Sequence, residues 1–503
     1  MKEKSKKNVY QTATLVTGLS VVERGLGFLY RIVLSRLIGA EGLGLYQIAL
    51  SVFSVFLTIG TGGIPVTVSR FISKSKATGE RDGERKAVSA GIALCLLLTL
   101  PVCIIFALFG KHFSFLFSDA RGLDIFSILL VGLVFSSVYA VLRGGFWGDK
   151  SFLFPSVLEL LEEAVMVIAG ILLLRGIETP YEGARLAAVA VVISYLVSFS
   201  ASCVGYFLRH GRLRSPKGTL KPLAASALPI TAVRGGGSLV NSLVAVILPA
   251  MLIRAGATQS EALALFGIVS GMVMPVLSIP STFIGSISLV LVPELAEDYY
   301  GGQKKRLTAN IERGVFAATA IACILLPLFS VLGRDVGRLL YSNDEAGVMI
   351  ERCSFMLLPM SLTMITTGVL NSLGFEKQTL LYYFVSAALM ILAVFLLPQY
   401  IGIYAFPVGL ALSFIACALL NLAYLCKKIR LSKAVFTRCL ISVLLTLPIT
   451  FIGKLIALPL TKFFSPFPAI TLIGLAMMLI TFVFYFFCHI LSTKPLKKLL
   501  FEK

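Results

Sequence analysis

Charge is scarce in this chain, and acidic charge is scarcer still. Only 14% of its 503 residues are Asp, Glu, Lys or Arg, with 25 acids against 45 bases, while 57% are apolar. Soluble domains carry roughly 25% charged residues, so a chain with mean hydropathy +0.92 is excluded from that class and reads as an integral membrane protein. Histidine is nearly missing: His112, His210 and His489 sit at helix ends or in loops and form no H-E-x-x-H pair, which leaves no zinc-hydrolase site. Nine cysteines contain no C-x-x-C and fall inside or at the ends of apolar runs, so they read as small buried hydrophobes and not as disulfides or metal ligands. No G-x-x-x-x-G-K-[ST] sequence occurs, and no inter-span loop exceeds roughly 15 residues. A soluble catalytic or ATP-binding domain is thereby excluded, no cofactor is expected, and an enzyme is not the expected function.

What is present is a series of apolar runs. A bilayer-crossing helix needs about 20 mostly apolar residues, and that length fits about fourteen spans, beginning near residues 11, 43, 87, 123, 153, 185, 223, 262, 309, 346, 379, 403, 437 and 468. The first run follows MKEKSKK, continues well beyond a signal-peptide core and carries arginines, so it reads as an uncleaved first helix. The net charge of +20 lies in short stretches between spans: KEKSKK (2–7), SKSKATGERDGERK (73–86), RHGRLRSPKGTLK (209–221), GGQKKR (301–306), KKIRLSK (427–433) and STKPLKK (492–498). With fourteen spans these all fall on one side. The positive-inside rule makes that side cytoplasmic, with both termini inside. The expected counterpart of the bases is anionic lipid, not nucleic acid.

The chain also repeats itself. The stretch YAVLRGGFWGDKSFLFPSVLELLEEAVMV (139–167) resembles TTGVLNSLGFEKQTLLYYFVSAALMIL (366–392), and 69–91 resembles 292–314; Arg24-Gly25-Leu26-Gly27 is echoed by Arg234-Gly235-Gly236-Gly237. The matches are collinear, as expected of an internally duplicated transporter. They predict an all-α polytopic protein with two six-helix lobes in parallel orientation and two extra helices. The expected boundaries are 1–208 for the first lobe, 209–222 for a cytoplasmic linker, 223–428 for the second lobe and 429–503 for the last two helices and a basic tail. Gly60, Gly62, Gly63 and Pro65 in the second span, and Pro275 and Pro280 in the eighth, predict bends, because Pro removes a backbone hydrogen bond and Gly tolerates the distortion. Such bends serve either ordinary packing or a hinge.

The remaining question is posed by charges inside spans. A charge at mid-bilayer costs about 2.5 to 3.5 kcal/mol on insertion scales, yet the first span holds Glu23, Arg24 and Arg31, the fifth holds Glu159, Glu162 and Glu163, and the seventh holds Arg234. Arg24 and Arg31 are seven residues apart and share a helix face; the three carboxylates also share one. Such faces must meet opposite charges or a watery cavity. Two readings stand: buried ion pairs that hold a lobe together, or a cavity wall whose arginines take an anionic head group, with guanidinium forks matched to phosphate oxygens.

The stretch GFLYRIVLSRLIGAEGLGLYQIALSVFSVFLTIGTGGIPVTVSRFISKSKATGE (27–80) resembles the opening of the oligosaccharide flippases related to stage V sporulation protein B, within the multidrug/oligosaccharidyl-lipid/polysaccharide exporter superfamily. LRGGFWGDKSFLFPSVLELLEE (142–163) is similar to that family's turn between its fourth and fifth helices. The resemblance implies twelve core helices, usually with two more, and alternating access that carries a lipid-linked saccharide between leaflets, as a lipid II flippase does. It implies a basic cavity face on the first helix, matched by Arg31 and Arg24, and places Glu163 at the family's glutamate; Glu159 and Leu160 depart from the Ser-Gln usually found before it. The function expected is translocation of an undecaprenyl-pyrophosphate-linked saccharide across a bacterial cytoplasmic membrane by a monomer, with a coupling cation or the membrane potential giving direction. The alternatives are a drug or cation antiporter of the same superfamily, or a non-transporting assembly factor for envelope or spore-coat synthesis.

Overall fold

The computed structural model describes residues 2–80, 82–209, 211–429, 431–463 and 465–488, and among these every regular element is helical. The basic stretch STKPLKK and His489 lie outside the described residues, as do Arg81, His210 and Arg430. Helices dominate because a bilayer offers no water to backbone N–H and C=O groups, and a helix satisfies them within one segment.

The first unit covers Met1–Gly271. It contains α1 (Lys2–Thr61), α2 (Ile64–Thr78), α3 (Gly83–Phe109), α4 (Arg121–Gly148), α5 (Leu153–Leu173), α6 (Pro180–Leu208), α7 (Leu220–Arg254) and α8 (Gln259–Gly267). Helix α1 is two spans fused across Gly39, whose φ of 70° and ψ of −179° break the helix. A residue with a Cβ is rare at that φ. The buried α4 packs against α1, α2, α3 and α6; α5 lies on α1 and α6; α7 and α8 lie along α1.

The second unit covers Met272–Lys503. A π-helical turn (Ile268–Val273) leads into α9 (Met274–Leu277) and α10 (Ile279–Tyr300), followed by α11 (Lys304–Tyr341), α12 (Asp344–Cys353), α13 (Leu357–Ser372), α14 (Glu376–Leu396), α15 (Pro398–Ile401), α16 (Ala405–Lys428), α17 (Lys433–Phe463) and α18 (Pro466–Phe487). Helix α11 is its spine, in contact with α10, α12, α13, α17 and α18. The two final spans join it through Leu332, Ile449, Ala469, Ile473 and Met477.

Helix starts follow their local chemistry. Thr179 caps α6 by accepting from the Glu182 N–H, with Pro180 in the first turn, and Thr258 and Glu261 form a reciprocal capping box on α8. The two quoted repeats end their helices alike. Gly79 and Gly302, 223 residues apart, both take positive φ after α2 and α10, and the next amide donates five residues back, from Glu80 to Ser75 and from Gln303 to Asp298. Lys150 and Gly374, 224 residues apart, do the same after α4 and α13, with amides of Ser151 and Phe375 donating to Phe146 and Leu370. These left-handed caps satisfy carbonyls that a helix end leaves open.

Thirteen described helices are long and apolar enough to cross a membrane. About fourteen spans fit them: the first of the thirteen, Leu15–Thr78, holds two spans, Gln259–Leu277 and Ile279–Tyr300 together fill the one span expected from residue 262, and α5, outside the thirteen, adds the last, its 21 residues carrying three carboxylates. The chain is a multi-pass membrane protein. Its packing divides at 271/272, so the segment 209–222 and helices α7 and α8 lie inside the first unit.

Candidate functional site

Helices α1, α4 and α5 bring the intramembrane charges of the first unit together. Arg143 on α4 donates from Nη1 to Glu159 Oε1 on α5 at 2.6 Å, and both side chains are about three-quarters buried. The guanidinium lies over Trp147, the chain's one tryptophan, at 5.0 Å and over Tyr139 at 5.8 Å. Such stacking fixes the plane of the cation as well as its place.

The other carboxylates of α5 are satisfied less fully. Glu163 reaches α1, where its Oε1 sits 2.6 Å from the position a Cβ on Gly27 would take. It interacts electrostatically with Glu23 and Arg31. Glu162 lies beside Ser198 of α6, and its Oε2 is buried without a partner. Glu23 is half-buried and feels Glu159, Arg24 and Arg143. One connected group of three acids and three bases therefore spans α1, α4 and α5, with Glu162 at its edge.

Arg24 and Arg31 themselves are exposed on α1 and form no salt bridge among the described residues. An exposed arginine in a span faces lipid head groups or a water-filled space. Both guanidiniums retain free donors, the state needed to receive an anion.

Arg234 occupies a different setting. It donates from Nη1 to the carbonyl of Gly62 at 2.8 Å, where α1 ends and α2 has not begun. The helix is interrupted at Gly62–Gly63, as its glycines and Pro65 imply, and α7 supplies the missing partners: Thr231 Oγ1 accepts from Gly63 N at 2.9 Å, and Ser238 bonds Thr58 at 2.8 Å. Thr231, Arg234 and Ser238 repeat at helical spacing, so one polar stripe of α7 covers the break. A cation at a helix C-terminus meets the negative end of the helix dipole. The neighbouring glycines are close-packed, Gly60 against Ser137 and Thr99 and Gly63 against Ala227. Pro275 and Pro280 stand in the first turns of α9 and α10, directly after the π-helical turn.

Sequence reasoning missed Arg143 as the partner of Glu159, because it entered only as part of a turn motif. The available signal was a lone arginine four residues before the only tryptophan in an otherwise apolar span. Thr231, Ser238 and Ser198 carried no signal, since hydroxyls are common in membrane helices. No group of three metal-ligating side chains occurs among the described residues.

Residues 9–297 match the model of the polysaccharide biosynthesis protein family. The chain belongs to that family. The chain is 26% identical over 364 residues to stage V sporulation protein B of Bacillus subtilis strain 168, covering 69% of each chain. Over 173 residues, 33% of this chain and 32% of the relative, it is 29% identical to the lipid II flippase MurJ of the same organism. Among solved structures, MurJ in an inward closed conformation superposes with TM-score 0.69 at 16% identity, covering 94% of this chain and 99% of that one. An inward-facing multidrug resistance MATE transporter of the MOP superfamily gives TM-score 0.68 at 15% identity, covering 82% and 96%. The fold of this family member is thus the one shared by MurJ and MATE transporters.

Proposed function

We propose that the protein is a flippase that moves an undecaprenyl-pyrophosphate-linked saccharide from the inner to the outer leaflet by alternating access. The observation that carries this reading is the pair Arg24 and Arg31, exposed on one face of α1 with unspent donors beside an acid-balanced cluster. A pyrophosphate offers oxygens that guanidinium forks engage bidentately, and the prenyl chain is free to remain in lipid. Arg234 joins them once released from the Gly62 carbonyl, and the breaks at Gly60–Pro65 and Pro275–Pro280 act as hinges. The carboxylates Glu23, Glu159, Glu162 and Glu163 hold the arginines when cargo is absent or bind a coupling cation. The basic loops and both termini face the cytoplasm, and the unit of function is the monomer. The relative named as a lipid II flippase supports this class of cargo.

The carboxylates favour one other reading, an antiporter of drugs or cations, because Glu162 keeps a buried oxygen without a partner. Proteoliposomes decide between them. The expected result is transbilayer movement of a fluorescent undecaprenyl-pyrophosphate disaccharide that Arg24→Ala or Arg31→Ala reduces at least tenfold at equal folded density. Movement of a cationic dye with none of the saccharide would establish the antiporter instead.

A further inference from the structure

At the end of the first unit opposite the α2–α3 and α4–α5 turns, a polar knot ties three separate elements. Glu41 stands two residues past the break at Gly39, in the first turn of the second half of α1. Its Oε1 accepts from Arg121 Nη2 at the start of α4 at 2.9 Å, and its Oε2 accepts from Ser260 Oγ in the first turn of α8 at 2.7 Å. Asp119 takes the rest of the guanidinium, accepting from Nε at 3.0 Å and Nη2 at 2.8 Å. Gln259 Nε2 donates to the Ser118 carbonyl at 3.4 Å, a second tie between the same segments. Beneath the knot the backbones touch: a Cβ on Gly44 would strike the carbonyl of Leu263, and one on Gly267 the carbonyl of Ala40.

Helix α8 is held to a bundle from which the repeat would separate it. The paired caps at Gly79 and Gly302, and at Lys150 and Gly374, put α7 and everything after it in the second copy. Packing nevertheless groups α7 and α8 with the first copy. If the copies are the moving parts of a transporter, this contact exists in one state and must part in the other.

We propose that Glu41, Arg121 and Ser260 form a latch that closes the non-cytoplasmic end of the molecule by fastening α8 to α1 and α4, and that it opens when cargo is released. Glu41 is the pivot, because one of its oxygens takes Arg121 of α4 and the other takes Ser260 of α8. Asp119 is a positioning residue that aims Arg121. The contacts are partly solvated, with Glu41 and Arg121 showing 23% and 36% side-chain exposure, which suits a fastening that opens on each cycle.

The proposal rests on the transport reading, and two measurements separate the two. In the Glu41→Cys/Ser260→Cys variant, oxidation in proteoliposomes should cut saccharide movement at least tenfold, and dithiothreitol should restore it. Undiminished movement with the cross-link verified on the peptides by mass spectrometry would overturn the latch. Independently of transport, Leu263→Cys, now only 1% exposed, should react several-fold faster with a membrane-impermeant maleimide when Glu41→Ala is added. An unchanged rate overturns the latch. Saccharide movement absent even in the reduced double-cysteine protein and in the unmodified chain, with faster labelling, would retain the latch and reject the flippase.

Discussion

The repeat invites a comparison of the α4–α5 pair with the α13–α14 pair, which end their first helices in the same left-handed cap 224 residues apart. Carried along by that displacement, Arg143 corresponds to Thr367, Glu159 to Tyr383, Glu162 to Ser386 and Glu163 to Ala387. In the first unit the interior is bound by an arginine and a carboxylate at 2.6 Å. In the second, the amide of fully buried Asn421 donates to Thr366 at 3.1 Å and to Thr367 at 3.0 Å. That network ties α16 to α13, and α13 meets α14 through Thr379 Oγ1 donating to Asn371 Oδ1 at 2.7 Å, so neutral hydrogen bonds hold the equivalent helices and the charges of the first unit exceed what such packing requires. Charge retained where polarity suffices points to a task beyond packing.

Closeness of approach differs too. A Cβ on Gly144 would lie 2.6 Å from Cα of Pro65, whereas one on its counterpart Gly368 would find its nearest neighbour, Ser288 Oγ, at 3.7 Å. The largest contrast is therefore expected from one substitution made twice. Gly144→Ala should cost about 1–3 kcal/mol through overpacking against backbone, and Gly368→Ala should be neutral or gain up to about 1 kcal/mol from helix propensity. Thermal unfolding in detergent reads both, and equal losses would break the comparison.

Next in size is Glu159→Ala. It leaves Arg143 without its carboxylate and should cost about 2 kcal/mol, somewhat below the usual figure for a fully buried pair because a quarter of each side chain is exposed. Arg143→Met with Glu159→Leu should recover most of that stability yet not the saccharide movement. Full transport by the apolar pair would show that its charge serves packing alone. Asn421→Ala should cost about 1 kcal/mol by removing two hydrogen bonds while transport continues, which confines the functional charge to the first unit. The smallest effect belongs to the ion pair of Lys76 with Asp149 at 2.8 Å, 44% and 40% exposed. Lys76→Ala should change stability by less than about 0.5 kcal/mol.

The sequence revealed most of the helices because apolar length and the placement of Lys and Arg are local properties that survive folding. The interruption at Gly62–Gly63 was equally legible, since Gly and Pro act on their own backbone. The fusion of two spans across Gly39 was not, because a single left-handed residue redirects a helix without the polar loop that normally marks a turn. Partners were hidden for a different reason. That Arg143 meets Glu159, or that Arg234 covers the Gly62 carbonyl, depends on which helix faces which. The grouping of α7 and α8 with the first unit is likewise a fact of packing that no repeat discloses, and it is what exposes the Glu41 latch.

The carboxylates of α5 bear also on how the protein is made. Three acids in 21 residues leave that helix poorly suited to enter lipid alone, at about 2.5 to 3.5 kcal/mol for each charge near the centre. Arg143 precedes Glu159 by 16 residues, on the other arm of a hairpin closed by the tight turn at Asp149–Lys150. Two opposite charges can thus leave the insertion machinery as a neutral pair when α4 and α5 partition together. The salt bridge then belongs to biogenesis as well as to the finished molecule: Arg143→Ala should strand α5 during synthesis, before any question of transport arises.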